Sequence, residues 1–381
     1  MDFLLDPEIV FLNHGSFGAC PRVVHDEYQR IQRHLEQQPV RFMQRELPEL
    51  ITAARQSLAE FLGADHDEVV FVPNPTFAVN EIARSLKLGP GDEVLTSDQE
   101  YGACHNAWRF MAGKSGFSIV RQSVALPVRS DTALVDDFWK RVNDNTKAIF
   151  LSHITSPTAL TIPVEEICRR ARQRGILTVI DGAHAPGQLD VDLHRISADF
   201  YTATCHKWMC APKGTAFLFV RRELQPLIEP LVVGWGWGAD RTQFRSGSDF
   251  VDAHQWLGTH DPSGYLTVPT AIQFQSDHDW KSVRQACHRL AVQAVEQAAD
   301  RVADIARVHD DRFFQQLALL AITKRVDAPS LQRNLYSRHR IEVPVIDWKD
   351  RQFVRVSVQA YNSAADIERL VAALASELTR A

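Results

Sequence analysis

The chain has 381 residues, 45% hydrophobic and 23% charged, with a formal net charge of −5. That length holds two or more domains with a sizeable core, and no basic block marks a nucleic-acid partner. No apolar run approaches the ~18 residues of a membrane span, so no membrane partner is expected. Asp2 and Asp6 stand where a secretory signal needs positive charge. The six cysteines form no CxxC pair and no zinc spacing, which points to free thiols in a cytoplasmic protein.

Residues 22–62 read as helical, with Val24, Tyr28, Ile31 and Leu35 on one face, then Leu50, Ala54, Leu58 and Phe61, and Gly63 as a stop. Val69 to Val72 is a short apolar strand, followed by Pro73-Asn74-Pro75-Thr76 and a helical stretch from Phe77. A turn at Gly89 to Asp92 leads into the strand Glu93 to Thr96. Further strands are expected at Lys147 to Leu151, Ile176 to Ile180, Phe200 to Ala203 and Thr215 to Val220, with a helix over Val164 to Arg174. Apolar strands alternating with helices predict an α/β fold with a mostly parallel sheet covered on both faces. After Pro262 the pattern changes. Residues 269–307 read as helical, followed by strands at Ile341 to Ile346 and Phe353 to Val358 and helices at Pro329 to Arg338 and Ala364 to Arg380. The expected organisation is an N-terminal segment (1–20), a large domain (21–262) and a smaller α+β domain (263–381). The stretch 308–326 looks short for such a small domain.

Lys207 carries the strongest chemical signal. It sits beside an imidazole in Thr204-Cys205-His206-Lys207-Trp208, downstream of Asp181, which ends a buried-looking strand. A lone lysine is usually a surface residue. A lysine in this company suits pyridoxal phosphate (PLP), which needs an amine for a Schiff base, a carboxylate for its ring nitrogen and donors for its phosphate. An ionised Asp181 would keep a pyridine nitrogen protonated, although a turn aspartate is the plainer reading. Backbone N–H groups at Asn74-Pro75-Thr76 could take a phosphate at a helix start, with Thr204 and His206 as further donors. Tyr101, just after a strand, could stack on an aromatic ring or serve as a rim aromatic. Arg355 lies within an apolar strand and needs a partner, either a substrate carboxylate or a structural ion pair.

Seven ordered segments then form one pattern. They are Phe11 to Ala19 (FLNHGSFGA), Ser152 to Thr158 (SHITSPT), Asp181 to Gly187 (DGAHAPG), His206-Lys207-Trp208, Ala211 to Leu218 (APKGTAFL), Trp256 to Pro262 (WLGTHDP) and Arg355 to Asn362 (RVSVQAYN). The pattern resembles the class V branch of the fold-type I PLP-dependent enzymes, and within its cysteine-desulfurase-like superfamily the isopenicillin N epimerase-like group. The resemblance implies a homodimer, a large domain with a mostly parallel seven-stranded sheet, and a smaller C-terminal α+β domain. It implies that Lys207 binds PLP and shuttles the α-proton, that Asp181 pairs with the ring nitrogen and that Tyr101 stacks on the ring. His184 and Ser156 would lie beside the ring hydroxyl or the substrate. Thr76, Thr204 and His206 would bind the phosphate, and Thr259 the phosphate of the partner subunit. Arg355 would hold the α-carboxylate of an amino-acid substrate. Asn13, His14 and Gly15 would line the mouth, with Arg41 as a contact for a distal carboxylate.

Cysteine desulfurases carry a nucleophilic cysteine shortly before the arginine strand. Here that stretch reads Arg338-His339-Arg340-Ile341-Glu342-Val343-Pro344, which argues against persulfide chemistry. By likeness the ranking is epimerisation through a quinonoid, then C–S lyase (cysteine desulfhydrase-type β-elimination), then class V amino transfer. A non-catalytic PLP-fold binding protein is a further alternative. A metal hydrolase built on His254, His260 and Asp261 is disfavoured, because these residues lack an i, i+4 ligand pair, and no metal is expected.

Overall fold

A computed structural model describes residues 2–241 and 245–380. Its strands, in chain order, are β1 (Val10–Phe11), β2 (Val69–Val72), β3 (Glu93–Ser97), β4 (Ser118–Gln122), β5 (Thr146–Ser152), β6 (Leu177–Asp181), β7 (Phe200–Thr204), β8 (Ala216–Val220), β9 (Ile305–Arg307), β10 (Leu317–Ile322), β11 (Ile341–Glu342), β12 (Val345–Trp348) and β13 (Arg351–Ser357). Seven of them form one sheet in the order β2-β8-β7-β6-β5-β3-β4. β8 runs antiparallel to both its neighbours, and the other pairings are parallel.

Helices cover both faces of this sheet, so β2, β7 and β8 are buried along their whole length. The period-two alternation of a strand divides the side chains between two cores. Val69 and Phe71 join the core that holds Leu58 and Ile180, while Val70 and Val72 face Val79 and Ile82. β3 leads outward to β4, and the chain then returns to β5 on the other side of β3. The direction of winding therefore switches between β3 and β5, and in open α/β sheets ligands bind beyond the carboxyl ends of strands at such a switch.

A second, antiparallel sheet has the order β12-β13-β10-β9. Val354 and Val356 of β13 face the helices Ala328–His339 and Ala364–Arg380 through Leu335, Leu370 and Leu374. Alternation sends Arg355 to the opposite face, with Phe353 and Leu319, toward the large sheet. The N-terminal segment is tied to this smaller sheet. β1 pairs with β11, and the N–H of Ser357 donates to the carbonyl of Leu12. Residues 13–18 then cross to the lysine loop.

Several elements differ from the sequence reading. The helical region 269–307 is two helices, Val268–Asp277 and Trp280–Arg301, and its end is the strand β9. The expected strand Ile341 to Ile346 is split, because Pro344 separates β11 and β12, which belong to different sheets. The stretch 308–326, read as short, contains β10, six buried residues between β13 and β9. No helix among the described residues is long and apolar enough to cross a membrane.

Candidate active site

The cleft lies at the carboxyl ends of β5, β6 and β7, where strand ends and loops converge. It is lined by Thr76, Tyr101, Ser152, Ser156, Asp181, His184, Thr204, His206 and Lys207, together with Ser16 and Phe17. Eight of the residues expected from the sequence thus meet in one place.

The Lys207 loop is fixed by close backbone contacts. Gly18, at φ +71°, touches it so closely that a Cβ would lie 2.2 Å from the His206 carbonyl oxygen. Gly187, at φ +92°, approaches the Trp208 carbonyl in the same way, also at 2.2 Å. Only glycine reconciles these left-handed conformations with such contact. His14 completes the brace. Its ring accepts from the Tyr361 hydroxyl (3.0 Å) at Nδ1, and Nε2 donates to the Lys207 carbonyl (3.0 Å).

The hydrogen-bond pattern fixes the state of the central pair. The Trp208 indole N–H donates to His184 Nδ1 (3.1 Å), so a neutral His184 carries its proton on Nε2. That nitrogen lies 3.3 Å from Lys207 Nζ. Burial, helped by Lys207 and Arg355, holds His184 well below its ordinary pKa, so it stays neutral. Burial also lowers Lys207 to about 8, with Asp181 opposing the shift. The free amine is therefore accessible near neutrality and can accept from the His184 N–H.

Asp181 Oδ1 accepts from the Ala183 N–H (2.9 Å), and Oδ2 faces the Cys104 thiol (3.5 Å). Burial raises its pKa, against the Ala183 N–H and the charge of Lys207. A thiol is a weak donor, so Oδ2 has room for a stronger, cationic one. Thr76 is in the first turn of the helix Pro75–Ser85, which Asn74 caps by accepting from the Phe77 N–H (2.9 Å). Thr204 donates its hydroxyl to the Ala183 carbonyl (2.8 Å). His206 donates from Nδ1 to the Thr215 carbonyl (2.8 Å), and burial lowers its pKa to about 4. Its Nε2 therefore carries a lone pair, and His206 would donate to a phosphate only in the protonated form that such an anion favours.

Arg355 is 6% exposed. Its Nη1 donates to the Ser156 carbonyl (2.6 Å) and hydroxyl (3.1 Å), and its Nη2 to the Ser16 hydroxyl (3.2 Å). Its Nε has no hydrogen-bond partner, and among the described residues no carboxylate forms an ion pair with it. Burial lowers its pKa to about 10, so it remains a cation at neutral pH. A buried cation held only by neutral oxygens is costly without an anion.

Other expected residues lie elsewhere. His14 is fully buried and engaged as a brace, Asn13 donates to Glu342 (3.0 Å) and Gly15 packs against Ser357, so the neighbouring Ser16 and Phe17 line the cleft instead. Arg41 is exposed and paired with Glu46 (2.6 Å). Thr259 is exposed and is not among the residues lining the cleft. His254 bonds Glu81 (2.5 Å) and the Phe250 carbonyl (2.6 Å).

Two contributors were missed. Glu100 Oε2 accepts from the N–H and hydroxyl of Ser152 (both 2.7 Å), tying the Tyr101 turn to β5, and burial raises its pKa to about 7. Cys104 follows Tyr101 by one helical turn, which was the available clue that its side chain points toward the strand ends.

These residues fit PLP: an amine poised near neutrality, a buried carboxylate with a spare oxygen, a helix start and an uncompensated guanidinium. Comparison with known proteins agrees. The aminotransferase class-V family model matches residues 10–370. Isopenicillin N epimerase of Amycolatopsis lactamdurans is 34% identical over 97% of this chain and 95% of that protein. The enzyme of the same name from Streptomyces clavuligerus is 35% identical with the same coverage. A solved cystine C–S lyase in complex with cysteine persulfide superposes with a TM-score of 0.85 at 21% identity, covering 97% of this chain and 98% of that one. This chain belongs to the aminotransferase class-V family of PLP-dependent enzymes. Its fold is the fold-type I architecture, and it acts at the α-carbon of an amino acid or in C–S cleavage.

Proposed function

We propose that the chain is an amino-acid epimerase. The observation that carries the reading is Arg355, a buried cation without an anion, whose two acceptor partners, Ser16 and Ser156, line the cleft of Lys207. A planar guanidinium there would take an α-carboxylate in a bidentate grip. When bound, PLP supplies the electron sink that lets an α-proton leave. Lys207 would hold the cofactor and carry that proton on Nζ. Asp181 would receive the ring N–H on Oδ2, and Tyr101 would cover the ring. Thr76, Thr204 and His206 would bind the phosphate. His184 would keep Lys207 Nζ placed through its Nε2–H.

The epimerase relatives at 34–35% identity over nearly the whole chain support this ranking. A probable L-cysteine desulfhydrase of Arabidopsis thaliana, 26% identical over 96% of this chain, supports β-elimination as the second reading. Among the described residues no cysteine lines the cleft, so cysteine as a substrate would give sulfide and pyruvate rather than alanine and a protein-bound persulfide. The exposed position of Thr259 suits service to a partner subunit, with 21–262 as the cofactor unit, 263–381 as the unit that brings Arg355, and the cytoplasm as the compartment. An amino-acid panel, scored in parallel for α-deuterium exchange, pyruvate release and amino transfer, tests the reading. Exchange with inversion and no keto acid is expected. Keto acid without inversion would replace epimerisation by one of the other two outcomes.

A further inference from the structure

The hairpin β12–β13 turns at Lys349 and Asp350, since Trp348 and Arg351 are register partners. Lys349 sits there at φ +56°, a left-handed conformation that glycine, asparagine or aspartate adopts more readily than lysine. A lysine at such a corner is explained by what its long side chain reaches. Its ammonium forms an ion pair with Asp98 and donates to the Ser123 hydroxyl (3.0 Å). Beside it the Trp348 indole N–H donates to the Asp98 carbonyl (3.4 Å), and the ring packs against the core that holds Leu95 and Phe353. Asp98 is itself anchored, accepting from the Val124 N–H (3.1 Å) and the Ser123 hydroxyl (2.6 Å). The tip of the smaller sheet is thus fastened to the ends of β3 and β4. Lys349 is exposed, so the ion pair adds little to stability, and its main consequence is geometric.

From Asp98 the chain runs directly to the cleft. Gln99 accepts from the Thr158 hydroxyl through Oε1, and both residues are fully buried. Glu100 holds Ser97 (2.5 Å) and Ser152 (2.7 Å), and Tyr101 follows at the cleft. Thr158 lies two residues beyond Ser156, whose carbonyl and hydroxyl accept from Arg355. Arg355 in turn belongs to β13, the strand that leaves the turn of Lys349. The contacts close a ring, from Lys349 through Asp98, Gln99, Thr158 and Ser156 to Arg355, and back along roughly 20 Å of strand. β13 is rigid within its sheet, so fastening the tip limits rocking of the smaller sheet against the large one.

We propose that Lys349 is a positioning residue for the substrate carboxylate: by tying the tip of β12–β13 to Asp98, it keeps Arg355 in place relative to the Tyr101 turn. The proposal rests on Arg355 being the carboxylate grip of the proposed function. Lys349 touches neither substrate nor cofactor and acts only through the ring. Loss of the tie leaves Arg355 present but less well held, which weakens the grip on a carboxylate and spares a substrate that has none.

The test is Lys349→Gly in the PLP-loaded enzyme. Glycine removes the ammonium yet suits the left-handed turn, so the variant should fold normally. With the best amino acid from the panel, KM should rise about fivefold while kcat changes less than about twofold, and with the decarboxylated amine kcat/KM should stay within about twofold of wild type. Hydrogen exchange without substrate supplies a readout independent of turnover: the amides of 351–357 and 98–101 should exchange faster in the variant. In an Arg355→Lys background, Lys349→Gly should add no further loss, because both act on one grip. Equal losses on the acid and the amine, an unchanged KM for the acid, unchanged exchange in both segments, or losses that simply add to those of Arg355→Lys overturn the positioning role. If Arg355→Lys alone leaves the preference for acid over amine intact, the grip itself fails and the positioning role falls with it.

Discussion

The cleft has two buried cations, one on each side, and the same physical force acts on both with different results. Lys207, beyond β7 of the large sheet, is lowered by burial to about 8 and faces a neutral imidazole that can donate to it. Arg355, in β13 of the smaller sheet, is also lowered by burial, yet to about 10, and donates to neutral oxygens on Ser156 and Ser16. Desolvation disfavours the charged form of both, but only the lysine begins close enough to neutrality to lose its proton. One side of the cleft can thus supply a nucleophile and base, while the other keeps a fixed positive charge for an anion.

The largest expected effect comes from deleting the discharging side. Lys207→Ala should lower kcat at least about a thousandfold, since attachment and proton transfer are lost together. Borohydride should no longer fix PLP to the chain, whereas in the wild type it should mark the peptide with Lys207. Loss of activity with the covalent mark intact would assign the amine elsewhere.

A pH series sharpens the contrast. Protein stripped of PLP should take it up faster as pH rises, by about tenfold per unit well below the Lys207 pKa, levelling above about 8. The sign follows from the amine reacting only when deprotonated. The same depressed pKa makes the unfolded chain bind the extra proton, so this group's share of stability is lost below about 8 and grows toward the ordinary lysine value. Arg355 should leave no step in that range. A flat uptake profile between pH 6 and pH 9 (about three units) would mean that Lys207 is not the group that discharges.

The brace between the two sides should give a smaller effect. Gly18→Ala forces a Cβ onto the His206 carbonyl at φ +71° and should cost about 2–3 kcal/mol of stability, read as a lower melting temperature. PLP retention should fall with it, because the disturbed contact is the backbone of the lysine loop. An unchanged melting temperature would show that the N-terminal segment does not press on that loop. The smallest effect is expected at Thr259→Ala, where PLP retention should weaken severalfold in the proposed dimer. Full retention and full activity in a species sized as a monomer by light scattering would remove the partner subunit from the site.

The sequence disclosed the lysine side more fully than the arginine side. Most strands of the large sheet are short and apolar, so Asp181 could be placed at a strand end, and Lys207 in a loop beyond the next strand, from the pattern alone. Arg355 was visible as a charge in an apolar strand, but its surroundings were not. The neighbouring strand β10 reads Leu-Ala-Leu-Leu-Ala-Ile, with no alternation to separate strand from helix. Strand β4 went unrecognised because it is an exposed edge with Ser, Arg and Gln. His14 showed as part of a motif, yet a buried hydrogen-bonding role and a mouth-lining role leave the same letter in a sequence. The roles of Glu100 and Cys104 were hard to read for a related reason, since their partners Ser152 and Asp181 are 52 and 77 residues away.

The division of labour between the two cations is tested most directly at Arg355. Wild-type enzyme and Arg355→Lys should be compared on the best amino acid from the panel and on its decarboxylated amine, with the cofactor spectrum as a control. The substitution should cost on the order of a hundredfold in kcat/KM for the amino acid, because lysine cannot reproduce the bidentate grip. The preference for acid over amine should collapse while the spectrum stays normal. If that preference survives intact, Arg355 is a structural cation and the carboxylate is held elsewhere.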